Sequence, residues 1–281
     1  MSYVPAFVAL YEIEPYIIFP LNNTTIRNAV KDYLEGGELK DAIIKKYGKI
    51  EDWNTSEVTD MSNLFMNRSG FNEDIGEWDT SKVTDMKFMF CEAVSFNQPI
   101  GDWDVSKVTN MTSMFERAKK FNQPIRDWDT SNVSNMGSMF CWAESFNQDI
   151  SGWDVSTVTT MEGMFFVAEN FNQSIGEWDV SSVTKMGRMF YGSHKFNQSI
   201  GEWDTSNVTD MALLFFGTKS FNKPIGEWDT SNVTDMECMF LGAESFNQPI
   251  VGWNTSKVSN MSCMFCDATS FNLENAPWYH E

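Results

Sequence analysis

Residues 203–227 read WDTSNVTDMALLFFGTKSFNKPIGE, and this stretch decides the fold because nine 25-residue units of the same pattern follow one another without insertion or deletion. Trp recurs at every 25th position from Trp53 to Trp253, and Met61 and Phe65 begin columns that no unit changes. A constant period predicts a repeat architecture, in which each unit buries its apolar side chains by stacking on its neighbours.

The side chains shared by all units are predicted to be structural. We expect the Trp, Met, Phe and Ile columns to form the core. The Asn column is expected to form a ladder whose side-chain amides satisfy backbone groups at a tight turn. One unit supplies the set Trp78, Met86, Phe90, Phe96, Asn97 and Ile100. Function is therefore sought in the columns that vary and in the segments outside the array.

Each unit is predicted to contain one short helix and one short strand. Met211, Leu214 and Phe215 lie at i, i+3 and i+4, which is one face of a helix. The Phe-Asn-x-x-Ile-x-x-Trp stretch is predicted to be extended, and strands of successive units to pair in parallel. Nine such rungs would form a rod on the order of 45 Å long.

The repeat divides the chain into four parts. Residues 1–21 are predicted to be an extended segment, residues 22–52 an N-terminal helical cap, residues 53–278 the nine-unit solenoid, and residues 279–281 a tail. A cap is expected because the first unit of a solenoid needs its apolar face covered. A docking module built from residues 1–52 is the alternative interpretation of this part of the chain.

The composition restricts the classes of function. The formal net charge is −19, which disfavours nucleic acid and anionic membranes as partners because both are polyanions. The apolar start of the chain is interrupted by Glu and Pro, so it predicts neither a signal peptide nor a membrane span. With two His residues and no recognisable nucleophile-and-base setting, the sequence predicts a protein that is not an enzyme and has no catalytic residues.

The five cysteines do not suggest a disulfide scaffold, because the count is odd and no framework is shared. Cys238 and Cys263 lie at the same position of successive units, about one rung or ~4.8 Å apart. A disulfide permits this separation of Cα atoms, although two small apolar fillers in adjacent units are the simpler interpretation. The CxxC of Cys263 and Cys266 has no second pair, so no zinc site is predicted.

An aspartate column follows the Trp column, with Asn54 and Asn254 at its two ends. Carboxylates about 5 Å apart repel one another unless they are hydrogen-bonded, screened or bridged by a cation. A row of Ca²⁺ sites is one interpretation, and no other cofactor is predicted. The second is an Asx-turn, in which each Asp accepts a backbone N–H two residues further on. The column consists of Asp79, Asp104, Asp129, Asp154, Asp179, Asp204 and Asp229.

The most informative variable column follows the second conserved Phe of the predicted helix. A stripe centred on Phe166, Tyr191 and Phe216, with Trp142 and Leu241 beside it, suits a protein or glycan partner if the rings are exposed. Alternatively, these side chains fold down and complete the core. Basic residues beside the stripe interrupt the acidic surface, namely Arg117, Lys119, Lys120, Arg126, Lys185, Arg188, Lys195 and Lys219.

The motif Trp-Asp-(Thr/Val)-Ser-x-Val-Thr-x-Met-x-x-Met-Phe-x-x-Ala-x-x-Phe-Asn-Gln-x-Ile-Gly, carried over residues 50–274, resembles the BspA-type, leucine-rich-repeat-like surface protein family. That family occurs in bacterial surface proteins and lipoproteins, in protists and in giant viruses. The resemblance implies a right-handed, leucine-rich-repeat-like solenoid used for binding and adhesion, at the cell surface or outside the cell. The lack of a clear signal peptide, lipobox Cys or wall-sorting motif leaves an intracellular or virus-associated location open.

These observations lead to one functional hypothesis and two alternatives. We expect a non-enzymatic binding or adhesion scaffold that presents one broad face to a protein or glycan partner. The first alternative is a structural subunit of a larger assembly, such as a virion or surface layer, that docks through its N-terminal segment. The second alternative is a calcium-stabilised surface protein.

Overall fold

The computed structural model describes residues 19–280, so most of the segment predicted to be extended lies outside the described residues. Two helices come first, α1 over Asn23–Glu35 and α2 over Gly37–Tyr47. Helix α1 begins with a capping box, in which Asn22 and Thr25 each accept the other's backbone N–H. Short 3₁₀ helices cover Ile50–Asp52 and Leu273–Asn275.

Helix α1 packs against the first 25-residue unit. The Arg27 guanidinium donates to the carbonyl of Ser62 and lies 3.0 Å from the Asp60 carboxylate. The Asn23 side-chain oxygen accepts the amides of Thr59 and Asp60 at 2.8 and 3.1 Å. Because Arg27 and Asn23 satisfy backbone groups at the edge of the unit, α1 covers this edge with polar as well as apolar contacts.

The units stack through a single column of parallel bridges. The bridged residue is the one before each conserved Met, beginning with Asp60 paired to Asp85 and ending with Asp235 paired to Asn260. The predicted strand over the Phe-Asn stretch was wrong. Neighbouring Phe-Asn segments are joined by side chains instead, since Asn72 Oδ1 accepts the Asn97 amide at 2.8 Å.

The predicted helix in each unit was also wrong, because residues 53–280 contain no α-helix. Residues 212–217 form consecutive turns, and the Leu214 amide donates to the Met211 carbonyl three residues back. The alternate amides of Met211, Leu213, Phe215 and Gly217 donate instead to carbonyls of the next unit, at 2.7–3.0 Å. Three-residue turns also place Met211 and Leu214 on one face, which explains why the apolar spacing resembled a helix.

Two residues of every unit adopt the left-handed backbone conformation. In unit 203–227 they are Leu213 and Gly217, and the equivalent residues have φ between 50° and 67° in all nine units. A left-handed L-residue costs about 1–2 kcal/mol, whereas a hydrogen bond contributes about 0.5–1.5 kcal/mol net. The conformational cost of a left-handed residue and the gain from its hydrogen bond are therefore similar in size. Burial of the aromatic columns supplies the net stabilisation.

The conserved aromatic columns run through the whole array. Phe90 stacks on Phe96 of its own unit at 3.9 Å between ring centroids and on Phe115 of the next unit at 5.5 Å. The Trp78 indole N–H donates to the carbonyl of Ile50 at 2.8 Å, and every later Trp repeats this bond to the preceding unit. From Trp78 to Trp253, each indole ring is therefore both buried and hydrogen-bonded.

The Asn column forms the predicted ladder. Each Asn side-chain oxygen accepts the amide of the next Asn, from Asn72 and Asn97 to Asn247 and Asn272. The adjoining Gln column, which sequence reasoning did not use, adds a second bond, such as Gln98 Nε2 to the Asn72 carbonyl at 2.8 Å. Hydrogen bonds of the Asn and Gln side chains thus join successive units here, as backbone hydrogen bonds join strands in a sheet.

The left-handed turns make a stability prediction. We expect Gly217→Ala to lower the free energy of unfolding by about 1–2 kcal/mol, because Ala is strained at a φ of 65°. Steric contact is not the cause, since the atoms nearest to an added Cβ lie 3.9 Å away. Urea unfolding measures the loss.

Gly70→Ala is the matched control. Gly70 also has open space around it, but its φ is not positive. Equal unfolding midpoints for the Gly217 and Gly70 variants would contradict the assigned turn.

Candidate functional site

The predicted aromatic stripe forms a continuous stack, here called the aromatic ladder, of Phe166, Tyr191 and Phe216. Ring centroids are 4.4 Å apart between Phe166 and Tyr191 and 4.3 Å apart between Tyr191 and Phe216. Trp142 lies at one end, 6.1 Å from Phe166 and tilted by 49°, and Leu241 continues the column beyond Phe216. All five side chains are half-buried, so the ladder is neither fully exposed nor part of the closed core.

Among the aromatic columns, the rings of successive units lie closest together in the aromatic ladder. Equivalent rings are 6.3 Å apart between Trp203 and Trp228, and 5.8 Å apart between Phe190 and Phe215. The corresponding distance in the ladder is 4.3 Å for Tyr191 and its neighbour Phe216. The ladder is therefore the most tightly stacked of these columns.

The geometry of the ladder decides which part of each ring is accessible. The planes of Tyr191 and Phe216 differ by 5°, and those of Phe166 and Tyr191 by 10°. Both faces of Tyr191 are therefore covered by neighbouring rings, whereas Phe166 and Phe216 are each stacked on one face only. The face of an aromatic ring is electronegative and the edge electropositive, so a ligand meets Tyr191 at its electropositive edge.

A shallow groove runs beside the ladder. Its walls are formed by Asn135 and Thr160 on one side and by Cys141 and Phe166 on the other. The groove exists because the floor positions carry Gly and Ser instead of larger residues, with Gly163 held at a φ of 63°. The lining thus combines apolar and hydrogen-bonding atoms, as ligand-binding surfaces do.

Ion pairs between neighbouring units flank the ladder. Arg188 pairs with Glu162 at 3.1 Å at one end of the groove. On the other side of the ladder a smaller recess at Trp142 is lined by Arg117 and Lys119. These two residues pair with acidic partners 25 residues away, Glu92 at 2.8 Å and Glu144 at 2.7 Å.

The turn face of the five central units differs in charge from the rest of the chain. Segments 110–120, 135–145, 160–170, 185–195 and 210–220 carry seven Lys or Arg and five Asp or Glu residues, a balance of +2 in a chain of net charge −19. The acidic surface is therefore interrupted where the aromatic ladder lies. This agrees in position with the basic residues singled out from the sequence.

The aspartate column makes Asx-turns. Asp79 Oδ1 accepts the Ser81 amide at 3.0 Å and the Ser81 hydroxyl at 2.6 Å. The amide bond recurs along the column, at Asp104, Asp129, Asp154, Asp179, Asp204 and Asp229. The serine hydrogen bonds hold the pKa of the Asp79, Asp154 and Asp229 carboxyls below the usual value.

Residues 19–280 contain no group of three or more His, Cys, Asp or Glu side chains arranged to hold a metal ion. The calcium interpretation of the aspartate column therefore stays a prediction without a ligand cluster to support it. Over the same residues, no helix combines the length and the apolar character needed to cross a bilayer.

A second column of Asx-turns escaped the sequence reasoning. The residue before each conserved Met accepts the amide two positions further on, as Asp210 does from Ala212 at 2.9 Å. The sequence signal that could have revealed this column is the recurrence of Asp, Asn or Thr before the conserved Met. Lys185 interrupts the column, because its side chain has no acceptor, and it is exposed in the same unit as Tyr191.

The cysteine thiols differ in burial. Burial raises the pKa of the Cys91 thiol to about 11 and that of Cys141 to about 12, which favours the protonated thiol of both at neutral pH. Cys238 is half-buried and Cys263 is exposed, and both are free thiols in successive units.

The stacked 25-residue units define a tandem repeat protein. Three overlapping segments, residues 38–140, 123–212 and 196–281, match the family described as "Mycoplasma protein of unknown function, DUF285". The chain belongs to this family, which in general terms is the BspA-like repeat family. Comparison with curated proteins and with solved structures gave no match.

The Asx-turns predict how single variants of Asp79 will behave. We expect Asp79→Ala to lower the free energy of unfolding by about 0.5–1 kcal/mol at pH 7, because the Ser81 amide loses its acceptor. Asp79→Asn keeps the acceptor and should lose less. Urea unfolding of the three proteins measures both differences, and equal losses for Ala and Asn would contradict the turn.

The same pair of variants predicts a pH dependence. The pKa of Asp79 is lowered from 3.8 on folding, so the ionised carboxylate stabilises the fold above that pH. This contribution is lost as the pH falls through the lowered value. The difference between Asp79 and its Asn variant should therefore shrink in acid, and a difference that grows there would contradict the assignment.

The aspartate column also predicts the response to chelation. If the Asx-turns alone account for these carboxylates, EDTA should leave the melting temperature unchanged in a calorimetric scan. A decrease of several degrees, reversed by added Ca²⁺, would restore the calcium interpretation.

Proposed function

We propose that the chain is a non-enzymatic binding scaffold that presents the aromatic ladder and its groove to a protein partner. In this proposal the array is a right-handed, leucine-rich-repeat-like solenoid of the BspA type. The observation that supports the proposal most directly is the half-buried stack of Phe166, Tyr191 and Phe216. Repeat arrays form extended binding surfaces to which several units contribute, and this stack spans three successive units.

The orientation of the rings favours a protein over a glycan. Sugar C–H groups carry partial positive charge and pack against the electronegative face of an aromatic ring. Both faces of Tyr191, the central ring of the ladder, are covered, since it is stacked at 4.4 and 4.3 Å between its two neighbours. The exposed ring edges suit aliphatic side chains, carbonyl oxygens and the faces of a partner's own aromatic residues.

The charge distribution favours an acidic partner surface. Acidic groups are repelled by most of this chain, whose net charge is −19, but not by the turn segments around the ladder, whose balance is +2. Electrostatic complementarity mainly sets orientation and association rate. We therefore propose that charge confines docking to the ladder face, while the aromatic residues supply the affinity.

The proposal is tested by comparing the partners of two multiple variants. Phe166→Ala/Tyr191→Ala/Phe216→Ala should lose the proteins that crosslink to the intact chain, identified by mass spectrometry. The matched control is Val251→Ala/Leu273→Ala, which removes two side chains that are 57% and 54% exposed elsewhere. An unchanged set of partners in the ladder variant, or binding to a glycan array that the ladder variant abolishes, would refute the proposal.

The same experiment addresses docking through the N-terminal segment. Phe19 of the N-terminal segment and Leu39 of the helical cap are 60% and 46% exposed, which favours the assembly-subunit alternative. If this alternative holds, Phe19→Ser/Leu39→Ser should abolish the crosslinks while the ladder variant retains them. Circular dichroism of every variant would verify that the array remains folded.

A further inference from the structure

Cys238 and Cys263 occupy the same position in two successive units. Both lie at the first left-handed position of their turns, with φ of 50° and 52°. Because the local backbone is the same, the two Cα–Cβ bonds point in nearly the same direction. Side chains at such positions stack directly on one another across the units.

The register between these two units is fixed by backbone hydrogen bonds on both sides of the pair. The Cys238 amide donates to the Ser262 carbonyl at 2.9 Å, and the Phe240 amide donates to the Met264 carbonyl at 2.9 Å. One rung separates the two Cα atoms by about 4.8 Å. This lies within the roughly 4.4–6.8 Å that a disulfide spans between Cα atoms.

The separation of the Cβ atoms is the stricter requirement, because a disulfide needs about 3.5–4.5 Å between them. The two cysteines lie three positions before the ladder column, on the same turn face. Because the two Cα–Cβ bonds are nearly parallel, the Cβ atoms lie about as far apart as the Cα atoms, roughly 4.8 Å. A relative shift of about 0.3 Å between the two units therefore brings the pair within bonding range without a change of register.

We propose that Cys238 and Cys263 form a reversible disulfide that links the ninth unit, residues 253–277, to the eighth. This inference is independent of the proposed binding function. The reaction is an exchange with a small-molecule disulfide such as oxidised glutathione. The exposed Cys263 thiolate attacks one sulfur and releases one glutathione thiolate. Cys238 then loses its proton and displaces the second glutathione, so two protein thiols are oxidised and one glutathione disulfide is reduced.

The link joins the least covered unit to the array. Val258, Met261 and Phe265 are only partly buried, whereas their counterparts one unit earlier are fully buried. In a linear array a unit with less contact area opens more readily than its neighbours. The disulfide closes a 25-residue step of the chain and opposes this opening.

The test uses the purified full-length chain incubated with oxidised glutathione and digested with trypsin without reduction. Lys257 separates the two cysteines into different peptides, so a crosslinked peptide pair is expected. Cys266 shares a peptide with Cys263, and the crosslink should therefore persist in Cys266→Ser. Cys238→Ser should instead accumulate a glutathione adduct on Cys263, which is the trapped intermediate.

Two further measurements make the result decisive. Cys91→Ser and Cys141→Ser are controls that should leave the crosslink unchanged, whereas Cys263→Ser should abolish it. In the oxidised chain, amide hydrogens of residues 258–271 should exchange roughly tenfold more slowly or better, and those of residues 103–127 should not change. A stable glutathione adduct without a crosslink in the unmodified sequence, or a crosslink only between chains, would overturn the proposal.

Discussion

The whole array depends on one kind of hydrogen bond, that from alternate amides of the turn segment to carbonyls of the next unit. In unit 203–227 the amides of Met211, Leu213, Phe215 and Gly217 all donate in the same direction. An α-helix would use these amides internally and leave nothing to join the units. The left-handed residues turn them outward, and the burial of aromatic columns compensates for that conformation.

A fixed register converts identical residues into continuous stacks. In the interior the result is a set of Phe and Trp columns, and at the surface it is the aromatic ladder of Phe166, Tyr191 and Phe216. The rings of successive units are 6.3 Å apart in the Trp column and 4.3 Å apart in the ladder, so ring spacing varies with the side chains within one backbone register. The ladder and the Cys238–Cys263 pair lie on the same turn face.

The sequence predicted those features that depend on the period alone. The stacked core, the Asn ladder and the Asx-turns at Asp79 and its equivalents follow because every unit repeats the same short-range chemistry. The helix was wrong because the i, i+3, i+4 spacing of Met211, Leu214 and Phe215 is common to helices and to three-residue turns. The left-handed backbone positions could not be predicted from residue type, since residues as bulky as Val167 and Trp142 occupy them. The half-burial of the ladder depends on stacking between successive units, which no single unit encodes.

The position of Arg27 has a consequence for self-assembly. In every unit the turn amides donate to the following unit, and the matching carbonyls accept from the preceding unit. The stack therefore has a direction, and its two ends differ. The guanidinium of Arg27 donates to the Ser62 carbonyl, which would otherwise accept a turn amide of a preceding unit. Helix α1 thereby covers part of the acceptor end and opposes end-to-end stacking of copies of the chain through that edge.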